Sequence, residues 1–296
     1  MGVTTILIDT HSIKKKSAGM NQNEILRNLT FCALDIETTG INPVFHRIVD
    51  IGLVKFNMTG IIDKYETLIN PGMPIPIETT MIHGITDEMV ISSPDISKII
   101  RPLLDFIKNT HLVIQNPEFD LSFIDIVCRR NNINIKLDAF DTVRLARKAL
   151  PYLKNHKLET LSNHFGIIGN PHRALPDAIA CAEIFRNIII KLDKNGRWKL
   201  KDLIAYHGSP IRARNIKITK APSNFRGMMK GKIYKIIYTD SEGNITEREI
   251  KPVEFVAYGK KKYMEAYCYL RKENRFFLAD RILEATEVDG NHLLWQ

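Results

Sequence analysis

FCALDIETTG, residues 31–40, places two acids, Asp35 and Glu37, one residue apart at the end of an apolar run that closes on Thr38-Thr39-Gly40. Such a short apolar segment bounded by turn residues reads as a buried strand. In a strand, residues i and i+2 point to the same face, so the two carboxylates project side by side. Close anions repel, and burying them without a partner is costly. Two readings follow. Either one acid is exposed or paired with Arg47 or Lys55, or a divalent cation neutralises both. Ligands that are all oxygen select hard ions such as Mg²⁺ or Mn²⁺.

Outward from this strand, RIVDIGLVKF (47–56) and DKYETLIN (63–70) repeat the β texture, with turn residues INPVF and NMTG between. Three strands with short connections predict an antiparallel meander. Helical spacing then takes over. In DISKIIRPLLDFIKN (95–109) the apolar positions are Ile96, Ile99, Ile100, Leu103, Leu104 and Ile107. HLVIQN (111–116) is a short buried strand. PEFDLSFIDIVCRRNN (117–132) is a helix with Pro117 suited to its first turn. DTVRLARKAL and HKLETLSNHFG are further helices, the second ending on Gly166, and PDAIACAEIFRNIII begins at Pro176. Strands followed by helices packed over them describe an α/β layered domain.

Two of these helices carry an acid near their start. Asp120 shares a face with Ile124 and Val127, and Asp177 shares one with Ala180, Cys181, Ile184 and Ile188. A carboxylate at a helix N-terminus is ordinarily a cap. Four acids on the inward faces of three elements are harder to explain as caps than as ligands aimed at one site. His172, just before Asp177, is a surface residue on the plain reading. Beside four carboxylates and a metal it is suited to take a proton from water. Asp141, in FDT, reads as a helix cap.

Composition sets the frame. The chain has 296 residues, 44% hydrophobic and 25% charged, which suits two folded domains. No apolar run has membrane-spanning length and the N-terminus does not read as a signal peptide, so the expectation is a cytoplasmic protein with no membrane partner. Cys32, Cys128, Cys181 and Cys268 lie far apart among apolar neighbours and read as core thiols. The net charge is +9 and unevenly placed: residues 197–296 hold 20 lysines and arginines against 12 acids, residues 1–196 hold 22 against 21. A basic module beside a near-neutral one suits an anionic partner.

DIETTG, QNPEFD and HRALPDA, in this order, resemble the three exonuclease motifs of the DEDDh family, the DnaQ-like 3′–5′ exonucleases that include the proofreading subunit of bacterial replicative polymerase. The resemblance runs from about Phe31 to Lys191 and takes in IHGIT (82–86), FDTVRLARK (140–148) and HKLETLSNHFGI (156–167). The second motif departs at Gln115-Asn116, where the family often has His-Asn. The resemblance implies an RNase H-like fold, a mixed sheet flanked by helices. It assigns Asp35, Glu37, Asp120 and Asp177 to two divalent metal ions, Mg²⁺ or Mn²⁺, and His172 to the general base. It implies hydrolysis of single-stranded DNA or RNA from the 3′ end to nucleoside 5′-monophosphates, with DNA the expected polymer and DNA repair one setting. It brings Thr38, Thr39, His83, Gly84, Ile85 and Phe119 to the terminal nucleotide, against the plain reading of Ile85 and Phe119 as core.

After LDKNGRWKL (192–200), read as a linker, the texture becomes short Tyr-rich segments: KIYKIIYTD, ITEREI, VEFVAYG, YMEAYCYL and RFFLAD. This predicts a small all-β domain. REIKPVEFVAYG, YMEAYC and RFFLADRI resemble a WYL domain, a small Sm/SH3-like barrel, although Lys262-Tyr263-Met264 replaces the name-giving triplet. The resemblance implies a nucleic-acid or nucleotide ligand held by Tyr206, Arg248, Tyr263, Arg275 and Arg281, where Arg forks suit phosphate and tyrosines stack on bases. The plain reading keeps Tyr263 in the barrel and pairs Arg281 with Asp280 or a glutamate. The expected organisation is an arm at 1–29, an exonuclease domain at 30–192, a linker at 193–202 and a WYL-like domain at 203–296. The competing readings are a non-catalytic WYL-type regulator, which the complete set of acids and His172 argues against, and a polymerase-associated proofreading subunit.

Overall fold

The structure, a computed structural model, describes residues 21–288 apart from 170, 217, 221–223, 226 and 259. The basic run at 14–16 lies outside the described residues.

The expected meander is present. Strands β1 (Phe31–Thr38), β2 (Ile48–Asn57) and β3 (Gly60–Leu68) pair antiparallel. The chain continues through α1 (Ile77–His83), α2 (Asp87–Val90), α3 (Ile96–Phe106), β4 (His111–Ile114), α4 (Glu118–Arg130), β5 (Asp138–Asp141), α5 (Thr142–Ala149), α6 (Leu158–Phe165) and α7 (Ala174–Leu192). It ends this unit with α8 (Leu200–His207) and β6 (Ile211–Arg212). The sheet order is β3-β2-β1-β4-β5-β6, with β4 parallel to β1 and to β5. A mixed sheet has formed.

Strand alternation sorts the core into two layers. Phe31 and Ala33 pack with Ile184, Phe185 and Ile188 of α7 on one face. Cys32, Leu34 and Ile36 pack with Ile99, Leu103, Ile124 and Val127 of α3 and α4 on the other. Asp35 and Glu37 continue the Phe31–Ala33 face and so lie on the α7 side. Gly52, opposite Asp35 in the register, lets α7 reach them. A Cβ there would stand 2.2 Å from the Ala174 carbonyl carbon, so only glycine admits the helix N-terminus this close to β1 and β2.

The stretch expected to be a linker is part of this unit. Leu200 and Leu203 of α8 are buried in the α7-side core. His207 is 1% exposed and its Nε2 accepts the Asp141 N–H at 2.8 Å, tying α8 to the end of β5. The described part of the expected arm is likewise folded in: Leu26 and Leu29 are core, and Leu26 N–H donates to the Trp198 carbonyl. The boundaries at 29 and 203 therefore fall inside one packed unit. Short apolar stretches without strong periodicity conceal their role until long-range partners are known.

Strands β7 (Ile218–Lys220), β8 (Asn224–Phe225), β9 (Met228–Met229), β10 (Ile233–Thr239), β11 (Ile245–Tyr258), β12 (Lys261–Cys268), β13 (Glu273–Leu278) and β14 (Ile282–Val288) form the second unit. Its main sheet runs β13-β12-β11-β10-β14, antiparallel, with β7 on β11. Among the described residues this path is open, so the expected barrel is a sheet without a closing pair. The segments read as ITEREI and VEFVAYG are one 14-residue strand. Pro252, which split them in the sequence, sits at a register shift between Pro252 and Glu254, where a missing N–H is tolerated. Among the described residues, no helix is long and apolar enough to cross a membrane.

Candidate active site

Three elements deliver four acids to one place. Asp35 and Glu37 come from β1, Asp120 from the first turn of α4 and Asp177 from the first turn of α7. One carboxylate oxygen each of Asp35, Glu37 and Asp177 lie within 4.8 Å of one another. Neither Arg47 nor Lys55 neutralises them. Arg47 pairs with Glu265 and Lys55 lies over the Phe106 ring.

The electrostatics follow. Burial pushes Asp35 well above the usual carboxylate range, and the charges of Asp120, Glu37, Asp177 and Asp50 push it further. Burial, then Asp177 and Asp50, push Glu37 up to about 7, with Arg173 opposing. Burial raises Asp120 against two backbone N–H groups, and raises Asp177 against the N–H and charge of His172. Among the described residues, this is an all-oxygen donor set that lacks enough positive charge. That is what a site for divalent cations requires of its protein ligands.

His172 occupies a left-handed backbone position, φ +64, and donates its N–H to Asp177 Oδ2 at 3.0 Å. The loop thus carries an exposed imidazole to the rim of the acid cluster. Two further residues hold this loop and escaped the sequence reading. Asp50, fully buried on β2 opposite Glu37, accepts from Arg173 Nε at 2.8 Å, and Arg173 Nη2 also reaches Glu66. The signal was present: an acid in RIVDIG, within an apolar strand, poses the same problem as Asp35. Asp141 is the cap expected of it, accepting the N–H of Val143, and it also holds the N–H of Asn116. Gln115, where the second motif departs, donates to the His156 carbonyl and is bonded by the Thr142 hydroxyl, so it braces the end of β4.

The expected nucleotide contacts divide. Thr38 and Thr39 are buried beside the acids, Thr38 Oγ1 donating to the Gly40 carbonyl. His83 Nδ1 accepts the Ile85 N–H, and Gly84 turns the chain at φ +72. Phe119 is half-buried against Phe123. Ile85 is a correction: it is fully buried among Val49, Ile75 and Val90 and offers a base no surface.

The WYL set does not share one surface. Tyr206 lies on α8 in the first unit, its ring 5.7 Å from Trp198. Strand register puts Arg248 opposite Ile236 and Arg275 opposite Ala266, on the face of the β core. Tyr263 is opposite Val256 on the other face, and Arg281 is in the turn before β14. Arg275 is paired with Glu273. The WYL resemblance groups residues that strand alternation separates.

Comparison with known proteins bears on this geometry. The family model "RNase_T: Exonuclease" matches residues 32–185, and the model "WYL domain" matches 225–287. The chain belongs to the RNase_T exonuclease family. It is 35% identical over 193 residues to the DNA polymerase III PolC-type of Caldanaerobacter subterraneus subsp. tengcongensis, which covers 65% of the chain and 14% of that relative. It is 36% identical over 168 residues to the DNA polymerase III subunit epsilon of Treponema pallidum, covering 55% of the chain and 77% of the relative. The match thus takes in about a seventh of the PolC-type polymerase. Exonuclease I shares the fold, with a TM-score of 0.52 at 16% identity over 81% of this chain and 55% of that one. The first unit is therefore an exonuclease domain of this family, and the second matches the WYL domain model.

Proposed function

We propose that the exonuclease removes nucleotides from the 3′ end of single-stranded nucleic acid, DNA in preference to RNA, releasing nucleoside 5′-monophosphates. Asp35, Glu37, Asp120 and Asp177 hold two divalent ions, Mg²⁺ or Mn²⁺. The observation that carries this reading is the convergence of Asp35 and Glu37 from β1, buried Asp120 from α4 and Asp177 from α7, with no matching positive charge among the described residues. When bound, the ions supply an activated water and neutralise charge on the phosphate and the leaving oxygen. His172, exposed at the rim and held through Asp177, accepts the proton of the attacking water. The Asp50–Arg173 pair keeps its loop in place. The backbone turns that follow Thr38-Thr39 at Gly40 and His83 at Gly84 border the approach of the terminal nucleotide. The WYL domain binds nucleic acid or a nucleotide through its basic surface, with Arg248, Arg275 and Arg281 as phosphate contacts. The setting is cytoplasmic, in keeping with four buried, free cysteines. The match to most of an epsilon subunit favours a second reading, association with a polymerase, which a pull-down tests.

The test uses 5′-labelled single-stranded DNA and RNA of matched sequence, Mg²⁺ or Mn²⁺, and EDTA and Asp35→Ala as controls. A ladder shortening from the 3′ end, faster on DNA and absent from both controls, is the expected result. Internal cuts, or degradation that survives EDTA, would overturn the reading.

A further inference from the structure

The loop that leaves the first catalytic strand is completed by the other domain. β1 and β2 shift register between Glu37 and Thr38, and the chain then runs through residues 39–47. Two hydrogen bonds close that loop: Thr39 N–H donates to the Arg47 carbonyl at 2.8 Å, and Arg47 N–H donates to the Thr39 side-chain hydroxyl oxygen at 3.0 Å. Thr39 is 1% exposed and stands two residues from Glu37. The position of Arg47 therefore sets the position of Thr39.

The WYL sheet holds Arg47. Its Nη2 meets Glu265 Oε1 at 2.6 Å, with side chains only 14% and 9% exposed, and its guanidinium lies 5.5 Å from the Phe276 ring centre. Phe45 enters a ring cage of Tyr258, Tyr263 and Phe276, with centroids at 5.7, 4.8 and 5.0 Å. The contact also reaches the helix that carries Asp120. Arg130, at the end of α4, bonds Glu254 and the Val44 carbonyl. Strand register puts Tyr263, Glu265 and Phe276 on one face of β12–β13, away from the β core. That face is what the loop covers.

We propose that Glu265 of the WYL domain is a positioning residue of the exonuclease. Through Arg47 it fixes Thr39 and the 39–47 loop in the form that receives the 3′-terminal nucleotide. Asp120 sits in the first turn of α4, at the opposite end from Arg130, and Asp35, Glu37 and Asp177 lie on elements packed into the two cores of the exonuclease unit. Loss of the contact therefore weakens substrate binding and leaves the chemical step in place. This inference rests on the 3′-end reading above.

The experiment is a double-mutant cycle in the full chain with Glu265→Gln, Arg47→Met and both together. It measures kcat and KM on a single-stranded oligonucleotide, with thermal melting as a check on folding. Each single variant is expected to raise KM about 10-fold with kcat within about 2-fold, and the double variant to match a single one. Glu265→Asp is expected to recover part of the KM. Phe45→Leu, which keeps bulk in the ring cage, is a second probe should a charge variant fail to fold, and its KM should rise in the same way. Folded variants with unchanged KM, or a double effect equal to the product of the singles, would overturn the proposal. Failure of the 3′-end reading shows separately, as a wild-type chain that yields no 3′ ladder; that result removes both.

Discussion

Two sets of acids in this molecule meet opposite fates. Asp35, Glu37, Asp120 and Asp177 gather where β1, α4 and α7 converge, and each is pushed above its ordinary range. Glu254 and Glu265, on the WYL sheet, each face an arginine of the exonuclease at hydrogen-bonding distance. The first set costs the metal-free fold free energy; the second is satisfied within the chain. A buried charge with a partner explains itself structurally, whereas a buried cluster of like charges needs an outside partner. That difference sets the acid cluster apart from the rest of the molecule without reference to substrate.

The strongest way to break the comparison is to delete a charge from the unpaired set. Asp35→Ala is expected to lower hydrolysis by about 10³-fold or more, because it removes a metal ligand. The metal-free variant should also melt higher than wild type at pH 8, since like charge has been removed. A fall in both activity and metal-free melting temperature would mean that Asp35 is a structural partner instead.

Gly52→Ala attacks the same centre without touching a charge. The new Cβ would stand 2.2–2.3 Å from the Ala174 and Leu175 backbone, and no flexible side chain is there to yield. Displacing the start of α7 moves His172 and Asp177 together. A stability loss of about 2–4 kcal/mol and a fall in activity of about 10²-fold are expected. Wild-type activity in this variant would show that the approach of α7 to β2 does not place the site.

The third test is pH. Glu37 holds its proton up to about 7 in the fold, whereas an unfolded glutamate releases it near its ordinary value of 4.5. Between these values the native state binds more protons than the unfolded chain, so metal-free stability falls as pH rises through this window. Glu37 alone accounts for about 3 kcal/mol, and the raised aspartates act in the same direction. Melting in EDTA should therefore drop from pH 4.5 to pH 7, and Mg²⁺ should restore it most at the upper end. A flat EDTA profile would remove the charge-repulsion account.

The same contrast explains what could be read before the fold was known. The gathering of the four acids is legible because each stands beside a start or stop signal: Asp35 and Glu37 before Thr-Thr-Gly, Asp120 after Pro117, Asp177 after Pro176. The meander and the long helices were legible from their periods. What stayed hidden depends on pairs far apart in the chain. Arg47 and Glu265 are 218 residues apart, and His207 and the Asp141 N–H are 66 apart. No local pattern marks either partner, so residues 193–207 read as a linker and a domain start in the sequence alone. Arg47 was offered to the wrong acids. The WYL residues failed for another reason. Alternation assigns a face only when the register is known, and the shift at Pro252 and Glu254 reverses it midway along β11.

The smallest expected effect sharpens the comparison most narrowly. Lys232–Glu287 has the same 2.6 Å separation as Arg47–Glu265, but its side chains are 48% and 51% exposed. If separation alone set the strength of an ion pair, the two would be equivalent. Water screens the exposed pair, and fixing two long side chains costs entropy, so Lys232→Ala should leave stability nearly unchanged. Any small loss should shrink further in high salt. Activity on single-stranded oligonucleotides should not move, because β10 and β14 lie on the side of the sheet path away from β12 and β13. Denaturant titration of Lys232→Ala against Glu265→Gln checks this directly. Equal losses from the two would mean that the Arg47–Glu265 contact is an ordinary surface pair, and burial would no longer separate the domain contact from the rest of the basic surface.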